Sequence, residues 1–143
     1  MKKRNDRHDA IRDIVRNERV RTQKGLVDAL KARGFTCTQA TVSRDVSEMG
    51  LRKLPEGIYV LAEDLHLQRM VSGLVLDVRR TGNLLLVKST PGSAAAVAAA
   101  LDAAMLPGML GSIAGDDTVL CVIEDDAEGQ EVETALNRLR SAD

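Results

Sequence analysis

Residues Gly111–Leu120 read GSIAGDDTVL and place two adjacent carboxylates between a glycine and an apolar run. Aspartate is depleted in β-strands, so Asp116 and Asp117 predict a turn between the apolar segments on either side. Two like charges held this close repel each other unless a cation lies between them. The stretch therefore predicts a strand pair with a turn at Gly115-Asp116-Asp117, and the two carboxylates make this turn a candidate cation site.

The segments around this turn predict an element order of β-β-α-β-β-α. The predicted strands are GLVLDVRR (73–80), NLLLVKST (83–90), MLGSIAG (109–115) and TVLCVIED (118–125), and the predicted helices run from Pro91-Gly92-Ser93 to about Met105 and over EGQEVETALNRLR (128–140). Thr81-Gly82 predicts a hairpin between the first two strands. This order is typical of an α+β domain, an antiparallel sheet with helices on one face.

The first of these helices carries one charged residue, Asp102, and is rich in alanine. Its larger apolar residues, Val97, Leu101 and Met105, share one stripe, while alanines cover the remaining surface. Small residues on several sides allow close approach, and a helix with one charge is poorly suited to face water. We expect this helix to contact another subunit; the alternative is burial within its own chain.

The N-terminal half predicts three helices followed by a β-hairpin. The helices are residues 6–17, a second capped by Thr22 and closed by Gly34, and Gln39–Met49, capped by Thr38 and closed by Gly50. The segment LRKLPEGIYVL (51–61) predicts two strands that turn at Pro55-Glu56-Gly57. Three helices and a hairpin in this order predict a winged helix-turn-helix.

The third helix has one apolar face and one short, polar face. Val42, Val46 and Met49 can pack on the other helices, whereas the opposite side carries Gln39, Ala40, Ser43, Arg44 and Ser47. Arginine pairs with guanine, glutamine with adenine, and serine with bases or backbone. We therefore expect double-stranded DNA at Gln39, Ser43, Arg44 and Ser47, with phosphate at Arg52 and Lys53. The alternative is a three-helix bundle whose polar face meets water.

Charge divides the chain into two parts. Residues 1–63 carry a net charge of +5 and residues 64–143 a net charge of −6. The expected domains are residues 1–63 for DNA binding and 72–143 for ligand binding and oligomerisation, joined by a linker at 64–71. The polar N-terminus and the absence of a long apolar run predict a cytoplasmic protein without a membrane segment. Cys37 and Cys121 are expected to be free thiols, and His8 and His66 to lie at the surface.

The carboxylates at the turn, joined by Asp102 if it lies near them, allow four interpretations. A divalent metal needs further oxygen ligands that the sequence does not place, and neighbouring strand residues point to opposite faces, which disfavours an acid/base pair. A guanidinium offers five donors that fit one or two carboxylates, and a solvated acidic turn is the fourth interpretation. No nucleophile or general base has a recognisable spacing, so we expect neither an enzyme nor a metal site.

Three segments resemble the bacterial arginine repressor family. They are QATVSRDVSEMGL (39–51), STPGSAAAV (89–97) and GSIAGDDT (111–118), the last differing from the family's GTIAGDDT by one residue. The resemblance covers essentially the whole chain. It implies a winged helix-turn-helix that binds operator half-sites of arginine metabolism genes, and a C-terminal domain that forms trimers. It also implies a hexamer of two stacked trimers, with the corepressor L-arginine at the trimer–trimer interface.

The resemblance also assigns residues. Ser43 and Arg44 match the pair that contacts DNA, while Asp116 and Asp117, with Ala114 nearby and Asp102 in the preceding helix, match the arginine site. Ala95 stands where family members often have a glutamine that holds the ligand, and alanine offers no hydrogen bond. A regulator of the same architecture that responds to another cationic amino acid is therefore the alternative.

Overall fold

The computed structural model describes residues 4–141, and the chain divides into two units between Ala62 and Glu63. This division lies one residue before the end of the predicted first domain. Residues 1–3 and 142–143 of the predicted domains lie outside the described part. None of the helices within residues 4–141 combines the length and apolarity needed to cross a bilayer.

The first unit is a winged helix-turn-helix, as predicted. It contains α1 (Arg4–Asn17), α2 (Gln23–Ala32), α3 (Gln39–Glu48), β1 (Leu51–Lys53) and β2 (Tyr59–Leu61). The strands pair antiparallel, with Leu51 opposite Leu61, and they form the predicted hairpin. Its core consists of apolar residues from all three helices, from the loop between α1 and α2 and from the hairpin: Ile11, Ile14, Val15, Val20, Leu26, Leu30, Val42, Leu51 and Leu61.

Local chemistry sets the ends of α2 and α3 where the sequence predicts them. The Thr22 hydroxyl accepts a hydrogen bond from the Gly25 amide at 2.9 Å, and the Thr38 hydroxyl accepts one from the Thr41 amide at 3.2 Å. Each threonine thereby satisfies an amide that has no partner within its helix. After α2 the chain reverses at Gly34, whose φ of +86° lies in the left-handed region that glycine tolerates.

The second unit contains a four-stranded antiparallel sheet, which confirms the predicted fold class. Its elements are α4 (Ala62–Leu74), β3 (Val75–Thr81), β4 (Leu84–Ser89), α5 (Ala94–Ala104), β5 (Met109–Ala114), β6 (Thr118–Ile123) and α6 (Asp126–Ser141). The strand order is β3-β4-β6-β5, and residues of α4, α5 and α6 share one core with the sheet. Thr81 pairs with Leu84, so the hairpin turns at Gly82-Asn83, one residue later than predicted.

The segment predicted as a linker, residues 64–71, is helical and forms most of α4. Leu67 and Val71 are buried in the core of the second unit, and Met70 and Leu74 pack against it. Their spacing of three and four residues is that of an amphipathic helix. The linker prediction is therefore wrong, and the predicted strand beginning at residue 73 begins instead at Val75.

One side of α5 packs inside its own chain. Its buried residues are Ala94, Val97, Ala98, Ala100, Leu101 and Ala104. Ala95, Ala99 and Asp102 lie on the exposed side, so the alternative of burial within one chain accounts for one face of this helix only. Met105 departs from the predicted apolar stripe, because it is 59% exposed and ends the helix in a left-handed conformation with φ of 49°.

Replacing Met105 with glycine is expected to stabilise the protein by about 0.5–1 kcal/mol. The left-handed conformation costs a residue with a side chain about 1–2 kcal/mol, and glycine removes this strain. Glycine also has more conformational freedom in the unfolded chain, which offsets part of the stabilisation. Ala103→Gly, at an exposed position still inside α5, is the matched control and should destabilise by about 1 kcal/mol. Urea unfolding measures both variants, and a loss of stability in Met105→Gly would contradict the prediction.

Candidate functional site

The outward face of α3 carries the residues predicted to contact DNA. Gln39, Ser43, Arg44 and Ser47 are all exposed, whereas Val42 is fully buried on the opposite side. The helix therefore presents an amide, two hydroxyls and a guanidinium to solvent, the donor and acceptor types that recognise base edges and phosphates.

The hairpin that follows α3 carries two further cations. Arg52 and Lys53 are exposed, and the Lys53 ammonium lies 5.5 Å from the centre of the Tyr59 ring, a cation–π distance. The turn between the strands is also bonded to the segment just before α2, because Arg21 donates to the Glu56 carbonyl at 2.9 Å. The wing is thus held by side chains as well as by its two short strands.

Asp45 is the unexpected residue of α3, since it is a carboxylate buried to 2% exposure. Arg7 donates to it through Nε at 2.6 Å and through Nη2 at 3.1 Å, and His8 Nε2 lies 2.9 Å from Oδ1. His8 is therefore partnered and only partly exposed, which corrects the surface position predicted for it, while His66 is exposed as predicted. At 100° per residue Asp45 lies beside the apolar stripe of α3, and this position was the available signal.

Burial alone would raise the pKa of Asp45, but the hydrogen bonds from Arg7 and His8 outweigh it and hold the pKa below its usual value. A carboxyl with a lowered folded-state pKa stabilises the fold above its unfolded pKa. The contribution is lost as the pH falls through the folded-state value. We expect the stability difference between wild type and Asp45→Asn to shrink below about pH 4. Urea titrations at several pH values measure this difference, and a difference that grows in acid would contradict the assignment.

The same cluster is the one group within residues 4–141 whose ligand atoms are close enough to hold a metal. His8, Asp45 and Glu48 each offer an atom within 4.8 Å of the others. Arg7 already engages both oxygens of Asp45, and Arg4 donates to Glu48. These two guanidinium groups balance the charge of the two carboxylates, so the cluster is an ion-pair network between α1 and α3.

In the second unit, backbone hydrogen bonds fix the acidic turn. The Asp117 carbonyl accepts from the Ser89 amide at 2.7 Å, and the Asp116 carbonyl accepts from the Ala94 amide at 3.1 Å. The turn is also closed by the Gly115 amide, which donates to the Thr118 carbonyl at 2.8 Å. The turn is thus joined to the end of β4 and to the start of α5, which fixes where its carboxylates can lie.

The two carboxylates of this turn are exposed, and each accepts a hydrogen bond from a nearby group. The Gly92 amide donates to Asp116 Oδ2 at 3.3 Å, and the Thr118 hydroxyl donates to Asp117 Oδ1 at 2.9 Å. Lys88 Nζ in turn donates to the Thr118 hydroxyl at 2.9 Å. The bonds from Gly92 and Thr118 each use one oxygen of a carboxylate, so the arrangement suits a planar cation with several donors.

Asp102 lies at the other end of α5 from this pair. Asp116 bonds to the first residue of α5, and Asp102 comes eight residues later, which is about 12 Å along a helix axis. There the Ser112 hydroxyl donates to Asp102 Oδ1 at 2.9 Å, beside a groove of about 470 Å³. One chain therefore brings Asp116 and Asp117 together, with Ala114 exposed just before them, and leaves Asp102 apart.

Two family models match the chain. Residues 1–67 match "Arginine repressor, DNA binding domain", and residues 71–138 match "Arginine repressor, C-terminal domain". A protein named arginine repressor from Thermus thermophilus is 44% identical over 139 residues, which cover 90% of this chain and 85% of that protein. Arginine repressors from Halalkalibacterium halodurans and Shouchella clausii are 42% and 39% identical, and each match covers 93% of this chain and 97% of the relative.

Proposed function

This chain belongs to the arginine repressor family, and from that premise we propose that it represses transcription by binding operator DNA with L-arginine as its corepressor. The observation that carries the proposal is the backbone-fixed turn with exposed Asp116 and Asp117, in a chain whose other unit is a winged helix-turn-helix. The operators we propose are those of arginine metabolism genes. We propose no catalytic residue and no metal for this function.

The DNA-binding residues follow from the chemistry of the exposed face of α3. Arg44 pairs in two-point fashion with guanine, Gln39 pairs with adenine, and Ser43 and Ser47 contact bases or backbone. The cations of the wing, Arg52 and Lys53, reach phosphate, which gives affinity without sequence preference. The supporting observation is that all of these side chains are exposed in the same unit.

L-Arginine binds through its guanidinium to Asp116 and Asp117. Its five N–H donors match the carboxylate acceptors, and its charge cancels the repulsion between the two aspartates. Ala114, which is exposed beside the turn, lines the same site. Asp102, about 12 Å away along α5, joins this site from another copy of the chain.

The proposed assembly is a hexamer, built as two stacked trimers with L-arginine between them. The outer face of the sheet supports self-association, because it exposes Leu84, Leu86 and Ile113, the last to 72%. Exposed apolar patches of this kind mark association surfaces. The alanine face of α5 adds a second surface that allows close approach, and it ends in Asp102.

The assembly links the two binding events. If L-arginine and operator DNA favour the same arrangement of subunits, each must strengthen the binding of the other by an equal factor, typically about 5–150-fold. Several winged domains on one particle also bind adjacent half-sites together, which compensates for the modest charge of a single domain.

The test combines solution mass with calorimetry. Native mass measurements with and without L-arginine should show a hexamer that the ligand stabilises, and titrations with arginine, lysine and ornithine should rank arginine first. A monomer in both conditions would contradict the assembly. A stronger response to lysine or ornithine would favour the alternative regulator, which the substitution of glutamine by Ala95 keeps open.

A further inference from the structure

We infer that Asp45 is a positioning residue for DNA recognition: its bridge to Arg7 and His8 fixes the orientation of α3 and so directs Ser43 and Arg44. This inference rests on the proposed DNA-binding function. Asp45 itself is buried, so it acts through its exposed neighbours on the same helix.

Both oxygens of the buried Asp45 carboxylate take part in this bridge. Both oxygens of Asp45 accept from Arg7, at 2.6 Å and 3.1 Å, and Oδ1 also lies 2.9 Å from His8 Nε2. A guanidinium that binds a carboxylate at two points fixes an angle as well as a distance. The bridge therefore defines how α3 is rotated relative to α1.

Apolar packing alone specifies this rotation less well. Val42 is fully buried, but Val46 and Met49, the other apolar residues on this face of α3, are only partly buried. Hydrophobic contact has no preferred direction, so it defines the rotation of a partly buried helix less tightly than a two-point ion pair does. A rotation of about 15° would move a side-chain tip about 6 Å from the helix axis by about 1.5 Å, which is enough to break a two-point contact with a base.

A second contact continues the bridge along the same pair of helices. Glu48, three residues after Asp45, accepts from Arg4, three residues before Arg7. The buried bridge and this exposed one thus join α1 and α3 at two successive turns. The exposed pair contributes little by itself, since surface ion pairs are worth little.

The Asp45→Asn variant separates positioning from simple electrostatics. Removing a negative charge from the DNA-binding unit should tighten binding to every DNA sequence if charge alone matters. Loss of positioning predicts the opposite for the specific site: affinity for operator falls about 10–100-fold, while affinity for a scrambled duplex stays the same or rises. Fluorescence anisotropy at one fixed salt concentration measures both affinities.

Asp9→Asn is the matched control. It makes the same change of charge on α1, at an exposed side chain whose one ion-pair partner among residues 4–141 is Arg12 on the same helix. We expect the ratio of operator to scrambled affinity to be unchanged in this variant. If the ratio is the same in Asp45→Asn and in Asp9→Asn, the inference is wrong.

Arg7→Lys covers the case in which Asp45→Asn fails to fold, as judged by circular dichroism. Lysine keeps the positive charge but offers a point contact in place of the planar fork, so the specificity ratio should still fall several-fold. Amide hydrogen exchange adds a measurement without DNA, in which α3 should exchange faster and α2 should not. An unchanged ratio with unchanged exchange in a folded Arg7→Lys variant would also overturn the inference.

The operator used is the duplex that the wild-type protein enriches from a random pool in the presence of L-arginine. If the wild type enriches no sequence, the proposed function fails. If it enriches a sequence that folded Asp45→Asn binds with wild-type specificity, the proposed function stands and the positioning role fails.

Discussion

Asp117→Asn is expected to abolish the response to L-arginine while leaving the ligand-free affinity for DNA unchanged. Asparagine keeps the size of the side chain but replaces one acceptor oxygen with a donor, which would face the donors of the guanidinium. The backbone bond from Ser89 to the carbonyl of residue 117 does not involve the side chain, so the turn should keep its shape. The loss of one charge-assisted contact predicts arginine affinity lower by about 10–150-fold.

Two measurements check this expectation. Calorimetry gives the affinity for L-arginine, and a gel-shift titration shows whether arginine still strengthens operator binding. Glu131→Gln is the matched control, because it removes the same charge from an exposed position on α6 of the same unit. An arginine response in Asp117→Asn equal to that of the control would remove the acidic turn from the ligand site.

Much of the fold could be predicted from the sequence because its signals are local. Thr22 and Thr38 cap the helices that follow them, and turns occur at or within one residue of the predicted positions. The helix α4 was missed because Leu74 and Val75 belong to one apolar run, which also suits a strand. Only packing against the sheet decides where the helix ends and the strand begins.

The candidate site was predictable to the extent that it consists of neighbouring residues. The exposed face of α3 and the paired aspartates each follow from a single element. The bridge from Arg7 to Asp45 joins residues 38 positions apart, and no periodicity reveals which buried charge meets which partner. The separation of Asp102 from the acidic turn follows from the length of α5, because the turn bonds to Ala94 at the start of this helix and Asp102 lies eight residues later.

Arg44→Ala is expected to abolish specific operator binding while the protein still assembles. Arg44 is exposed on α3, so its removal should leave the core of the first unit intact. A two-point arginine–guanine contact is worth about 1–3 kcal/mol, and an assembly that binds two half-sites loses it twice. We therefore expect operator affinity to fall at least about 30-fold, with a smaller effect on scrambled DNA.

Arg44→Lys and Arg138→Ala make this experiment discriminating. Lysine preserves the charge near phosphate but not the two-point geometry, so it should restore binding to scrambled DNA without restoring specificity. Arg138→Ala removes the same charge from exposed α6 in the other unit and should leave both affinities unchanged. Anisotropy at fixed salt measures the affinities, and size-exclusion chromatography measures the assembly. If Arg44→Ala dissociates the particle, or if Arg44→Lys retains full specificity, then Arg44 does not recognise a base and α3 is not the recognition helix.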